Sequence, residues 1–137
     1  MKYHLLLEKM VKLYPKVISL HLKFDDPLAH KIYAGSDIFL MPSKYEPCGL
    51  GQMISLNYGT IPLVFKTGGL ADTVTKENGF VFDVYKKEML IKTIKKAINT
   101  FGDKKIWNKL MTTAMQYNFS WEVAAKEYIR LYEKAKA

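Results

Sequence analysis

The sequence predicts an α/β fold, in which a parallel β-sheet is covered by helices on both faces. Two observations indicate this class. Short apolar runs, such as residues 61–65, alternate along the chain with longer segments of helical periodicity. Glycine-containing loops follow two of these runs, and ligands bind at the carboxyl ends of the strands in open parallel sheets.

The first half of the chain contains two predicted helices and two predicted strands. Apolar residues at helical spacing indicate a helix over residues 3–14, which Pro15 ends. Residues 25–27 predict the start of a second helix, with an acidic N-cap followed by Pro27 at the first helical position, and this helix ends at Gly35. The predicted strands of this half are residues 17–22 and residues 37–41, the latter of the buried type.

The second half of the chain is predicted to be mostly helical. Its predicted elements are a helix over residues 50–58, strands at 61–65 and 80–82, and helices over 86–101, 103–115 and 121–136. Ser120 is the predicted N-cap of the last helix. Because no strand pattern follows residue 82, we expect one domain over residues 1–137, with the sheet within about 16–83 and a helical tail over about 86–136.

Composition and charge leave two classes of anionic partner open. The 137 residues are 49% apolar and 25% charged, as in ordinary globular domains. The net charge of +8 favours partners such as nucleotides or nucleic acid. Arg130 is the only arginine, however, and arginine is the usual reader of bases. We therefore interpret the lysines as a solvated surface and expect no nucleic acid, although a basic nucleic-acid-binding module around residues 86–109 stays an alternative.

Cysteine, histidine and acidic residues give little indication of a metal or covalent site. Cys48 is the single cysteine, which excludes an internal disulfide and fits a cytoplasmic protein. No apolar run is long enough to span a membrane, so no membrane partner is expected. No cluster has metal-ligand spacing, and we expect neither metal nor cofactor. His30, just before a predicted strand, is a candidate site residue, with a structural role as the alternative.

The first candidate loop, residues 46–51, joins a strand end to a helix start. Gly49 and Gly51 allow backbone N–H groups to approach a ligand, and the helix start behind them favours an anion such as a phosphate. Glu46 beside an anion is unfavourable unless the carboxylate binds another group, such as sugar hydroxyls. Cys48 lacks a base partner and is interpreted as lining. A plain strand-to-helix turn is the alternative.

The second candidate loop, residues 66–70, follows the next predicted strand. Gly68 and Gly69 permit left-handed backbone angles. Lys66 and Thr67 are placed to face a phosphate or a sugar. A tight turn without a ligand is the alternative.

Four ordered blocks of residues closely resemble bacterial glycogen synthase and plant starch synthase. The blocks are residues 36–43, 45–52, 58–64 and 67–74, and the match continues through 78–82 and 118–122 to residue 132. The resemblance implies a Rossmann-like three-layer α/β/α domain, the C-terminal half of a GT-B glycosyltransferase. It also implies a retaining enzyme that transfers glucose from ADP-glucose to the 4-hydroxyl at the end of an α-1,4-glucan, without a metal.

The same resemblance assigns roles to individual residues. Glu46 matches the family glutamate at the sugar–ribose end of the donor and is the implied catalytic residue. Phe24 matches an aromatic residue that packs on the adenine, and Gly51 stands where the family often has a threonine. The other implied substrate-binding residues are His30, Tyr45, Cys48, Gly49, Leu50, Thr67, Gly68 and Gly69.

Comparison with the family also implies that a large part of the enzyme is missing. The N-terminal domain and the start of the C-terminal domain, with the basic residues that grip the donor phosphates, have no counterpart here. We therefore expect a fragment that is inactive alone, binds its donor weakly and tends to self-associate. A related GT-B enzyme that uses UDP-glucose stays an alternative.

Overall fold

The computed structural model describes residues 2–136, which form seven helices and three short strands. The elements are α1 (Lys2–Leu13), α2 (Asp26–Gly35), β1 (Ile38–Met41), α3 (Gly51–Asn57), β2 (Ile61–Phe65), α4 (Gly68–Thr73), β3 (Phe80–Phe82), α5 (Lys87–Gly102), α6 (Lys104–Met115) and α7 (Trp121–Lys136). Helices and strands alternate from α2 to α5, and only helices follow β3 in the described chain. The α/β class and the helical C-terminal segment are confirmed.

The sheet has three parallel strands in the order β1-β2-β3. Ile38 pairs with Ile61 at the start of β1, and Leu63 pairs with Phe80 at the start of β3. Because all three strands run in the same direction, their carboxyl ends lie at one edge. The loops that follow β1 and β2 therefore begin side by side.

Helices cover both faces of the sheet, as predicted. On one face, Ile61 and Leu63 of β2 pack in a cluster with Leu56 of α3, Ala97 of α5 and Trp107 of α6. The opposite face carries a smaller cluster, in which Val64 packs with Leu70 and Val74 in and after α4. The alternation of side chains along β2 thus supplies both halves of the core.

The strand predicted at residues 17–22 is wrong. Val17 and Ile18 both donate their backbone N–H to the carbonyl of Tyr14 in a turn, and the rest of the segment is irregular. A strand needs a hydrogen-bonded neighbour, and the described residues provide none for this segment. Val17 and Leu22 are consequently exposed, Val17 to 83%, while Ile18 and Leu20 are half-buried.

Two smaller differences from the sequence predictions concern β1 and the second glycine loop. β1 was predicted to be of the buried type, but it pairs only with β2 in the described chain, and Leu40 is half-exposed. The predicted glycine loop at residues 66–70 is shorter than expected, because α4 begins at Gly68 and buries Leu70.

Within residues 2–136, no helix is both long enough and apolar enough to cross a membrane.

Candidate functional site

The two predicted glycine loops meet at the carboxyl edge of the sheet. Residues 42–50 follow β1, and residues 66–67 follow β2 and lead into α4. The backbone N–H of Gly69 donates to the carbonyl of Glu46 at 3.0 Å. The structure therefore joins the two loops into one surface.

Gly68 and Gly69 are required by the close approach of these backbones. A Cβ atom on Gly68 would lie 2.1 Å from the Glu46 carbonyl oxygen, and one on Gly69 would lie 2.2 Å from the Cys48 carbonyl oxygen. Gly68 also has a φ of +41°, which disfavours a side chain. The paired glycines thus permit a backbone-to-backbone contact between the loops.

Gly49 of the first loop has a left-handed backbone, whereas Gly51, at the start of α3, makes room for aromatic rings. Gly49 has a φ of +72°. A Cβ on Gly51 would lie 3.1 Å from both the Phe39 ring and the Tyr33 hydroxyl. Residue 51 must therefore lack a side chain, because Phe39 of β1 and Tyr33 of α2 pack against its backbone. Burial also raises the pKa of the Tyr33 hydroxyl above its ordinary value of 10.0.

The solvent-facing side of this surface carries the carboxylate of Glu46 and three exposed side chains of the first loop. Glu46 is half-buried, and within residues 2–136 its carboxylate has neither a hydrogen bond nor an ion pair. Tyr45, Cys48 and Leu50 are exposed beside it. The Glu46 carboxylate is therefore free to accept hydrogen bonds from a ligand, and it lies beside the backbone of the loops that follow β1 and β2.

Thr67 lies at the junction of β2 and α4. It occupies the N-cap position of α4, but its side chain makes no capping hydrogen bond there. Its hydroxyl is consequently available for another partner. The neighbouring Lys66 is exposed, and its backbone N–H donates to the Phe82 carbonyl, which fixes the start of the second loop against β3.

Two predicted site residues are not brought to this surface. His30 contacts the opposite end of α3, where its Nδ1 lies 2.9 Å from the Tyr58 hydroxyl, and its Nε2 lies 3.8 Å from Asp26. Phe24 precedes the N-cap of α2 and is 94% exposed, so its ring packs against almost nothing among residues 2–136. Their binding roles stay predictions, and the contacts of His30 also fit the structural alternative.

Sequence reasoning missed Gln52 as a member of the site. Its side chain is fully buried, and its amide nitrogen lies within hydrogen-bonding distance of the carbonyls of Cys48 and Gly49 and of the hydroxyl of Thr73. A polar residue on the buried side of a short helix, next to a glycine loop, was the available signal.

An uncharged groove of about 610 Å³ begins beside the first loop. Its lining residues are Leu50, Met53, Ile54, Asn57, Met115, Gln116, Tyr117, Asn118, Phe119 and Ser120. Leu50 alone connects it to the predicted site. Within residues 2–136 no group of three histidine, cysteine or acidic residues is arranged to hold a metal ion.

Comparison with known proteins identifies relatives of this chain. Residues 5–109 match the family described as glycosyl transferases group 1. The chain is 52% identical to a glycogen synthase of Fervidobacterium nodosum, over 99% of this chain and 30% of that protein. It is 54% identical to a glycogen synthase of Geotalea uraniireducens, over 88% of this chain and 26% of that protein.

A solved structure is also similar. The catalytic domain of starch synthase IV from Arabidopsis thaliana, bound to ADP and acarbose, matches with a TM-score of 0.82 and 36% identity. The match covers 93% of this chain and 28% of that chain. The chain thus spans less than a third of the length of each of these relatives.

Proposed function

Because this chain belongs to the glycosyl transferases group 1 family, we propose that it is the donor-binding part of a glycogen or starch synthase. In that role it holds ADP-glucose while glucose passes to the 4-hydroxyl at the end of an α-1,4-glucan. The relatives that match along nearly the whole chain are glycogen synthases, and the similar starch synthase structure has ADP bound.

The joined glycine loops carry this proposal. They lie at the carboxyl ends of adjacent parallel strands, which is where α/β sheets bind nucleotides. The backbone of both loops reaches one surface because Gly68 and Gly69 lack side chains. A nucleoside diphosphate sugar needs backbone donors for its phosphates and an acceptor for its hydroxyls, and this surface combines loop backbone with the free carboxylate of Glu46.

The proposed transfer exchanges one bond to the anomeric carbon of glucose for another. The bond between the anomeric carbon of glucose and the diphosphate oxygen breaks, and ADP leaves with the electron pair. The acceptor oxygen forms a bond to that carbon on the same face while its proton passes to the departing diphosphate. Glu46 holds the sugar, and the backbone at Cys48 and Gly49 contacts the sugar and the diphosphate. Lys44 and Lys66, in or beside the two loops, supply positive charge for the departing diphosphate.

The remaining partners are part of the same proposal. The glucan acceptor lies in a cleft that a second, N-terminal domain completes. The single cysteine, Cys48, is consistent with the cytoplasmic location that we propose. The chain on its own makes no glucan, because catalysis depends on aligning donor and acceptor between two domains.

A chimera tests the proposed activity. This chain replaces its matching segment in the Fervidobacterium nodosum glycogen synthase, and incorporation of labelled glucose into glycogen is measured with ADP-glucose and with UDP-glucose. We expect incorporation from ADP-glucose by the chimera and none by the 137-residue chain. A folded but inactive chimera would contradict the proposal, and a preference for UDP-glucose would favour the related enzyme class.

Binding to nucleic acid is tested alongside as the competing function. Affinity of the chain for ADP-glucose and for single-stranded DNA is measured over a range of salt concentrations. A steep fall of DNA affinity with salt, without binding of ADP-glucose, would support the basic module instead.

A further inference from the structure

We propose that Gln52 is a positioning residue, whose buried amide holds the two glycine loops in the arrangement that receives the donor. This inference rests on the proposed function for what the loops bind. The hydrogen bonds that connect the loops through Gln52, Thr73 and Gly69, here called the clamp, are a feature of the fold.

The amide nitrogen of Gln52 connects both loops. It lies 2.8 Å from the carbonyl oxygen of Gly49 and 3.1 Å from that of Cys48, both in the first loop. It also lies 3.1 Å from the hydroxyl oxygen of Thr73 at the end of α4. The two N–H groups of the Gln52 amide thus have three acceptors within reach. Two are carbonyls of the first loop, and the third is the Thr73 hydroxyl.

Thr73 extends this connection into the second loop. Its hydroxyl donates to the carbonyl of Gly69 at 2.6 Å. The N–H of the same Gly69 donates to the carbonyl of Glu46 at 3.0 Å. The hydrogen bonds from Gln52 through Thr73 and Gly69 to the Glu46 carbonyl therefore return to the first loop. They fix the backbone of Glu46, the residue that carries the proposed catalytic carboxylate.

The oxygen of the Gln52 side chain argues against a role in packing alone. Gln52 Oε1 is buried and, among residues 2–136, has no hydrogen-bond partner. An unpaired buried oxygen lowers stability, so an apolar side chain of the same size would be preferred if only the volume mattered. The benefit of the amide at this position is its donor group, which no apolar side chain offers to the carbonyls of Cys48 and Gly49.

Substitution of glutamate for glutamine separates the donor from the shape. Gln52→Glu keeps the size of the side chain but places an oxygen against the carbonyls of Cys48 and Gly49. Gln116→Glu is the matched control, since Gln116 is the only other glutamine and is exposed. Gln52→Met is the second variant, because it removes the donor without introducing a charge.

Two measurements on the 137-residue chain follow from this design. Amide hydrogen exchange at Gly69 reports the second loop, and an ADP titration reports the site. In both Gln52 variants we expect exchange at Gly69 to accelerate and ADP affinity to fall about tenfold or more, because several hydrogen bonds of the clamp are lost. The Gln116→Glu chain should behave like the unaltered chain in both measurements.

The outcomes distinguish the clamp from the proposed function. Accelerated exchange at Gly69 in Gln52→Met supports the clamp, even if Gln52→Glu does not fold. Unchanged Gly69 exchange and unchanged ADP affinity in a folded Gln52→Met chain would overturn it. If the unaltered chain fails to bind ADP, the donor-binding function is contradicted, while the exchange data still decide whether Gln52 connects the loops.

Discussion

Replacement of Gly69 by alanine is expected to disrupt the joined loops and to abolish ADP binding. The new Cβ would lie 2.2 Å from the carbonyl oxygen of Cys48 and 2.7 Å from its Cα. Both contacts are with backbone, so no change of side-chain rotamer relieves them. We expect a loss of about 3 kcal/mol in the free energy of unfolding, at the upper end of the usual cost of overpacking.

Chemical denaturation and an ADP titration measure the two parts of this prediction. Gly102→Ala is the matched control, because a Cβ at this helix end meets nothing within 4 Å. The control chain should keep both its stability and its ligand affinity. A Gly69→Ala chain with unaltered stability and ADP affinity would show that the loops do not need their close approach.

Replacement of Glu46 by alanine should lower turnover by at least about a hundredfold in a full-length enzyme that contains this segment. The carboxylate is half-buried, and within the described chain nothing pairs with it, so its removal costs the fold little. Stability should therefore be nearly unchanged while the rate falls. This combination is typical of a group that acts on the substrate.

Steady-state kinetics and thermal unfolding of three proteins test the role of Glu46. Glu46→Gln keeps the size of the side chain and removes the charge, and Glu88→Gln makes the same change at an exposed carboxylate in the first turn of α5. We expect the rate to fall for both Glu46 variants and not for Glu88→Gln. Unaltered turnover in Glu46→Ala would reject the catalytic role.

The sequence predicted the elements that are determined by local pattern. β2 and β3 occur at the predicted residues, and α2 begins with an acidic N-cap as predicted, since the Asp25 side chain accepts from the Leu28 N–H. Pro27 is the second rather than the first helical residue, because α2 begins at Asp26. The strand predicted at residues 17–22 failed because apolar alternation does not reveal whether a hydrogen-bonded neighbour is present. Pairing is a property of two segments, and one of them is lacking among the described residues.

The candidate site was located from glycine spacing together with the family resemblance, but the structural reasons for the glycines were not predicted. Gly68 and Gly69 were interpreted as sources of backbone freedom, whereas the structure shows that backbone of the first loop occupies the space of their side chains. Gly51, expected to approach a ligand, makes room for Tyr33 and Phe39. Such contacts join residues far apart in the sequence, so no local pattern predicts them.

The anion-binding contribution of the helix starts stays a prediction. α3 has seven residues and α4 has six, so both helices behind the loops are short. The backbone of the joined loops, rather than a helix end, is therefore the expected source of donors for the diphosphate.

An ADP titration of the isotope-labelled 137-residue chain, followed by NMR of its backbone amides, tests the central claim most directly. Millimolar ADP is appropriate because donor binding by this part alone is expected to be weak. We predict that the largest shifts occur at Gly49, Gly51, Gly68 and Gly69, with little change along α5 and α6. Shifts confined to the lysine-rich helices, or none at all, would contradict a donor site built from the two glycine loops.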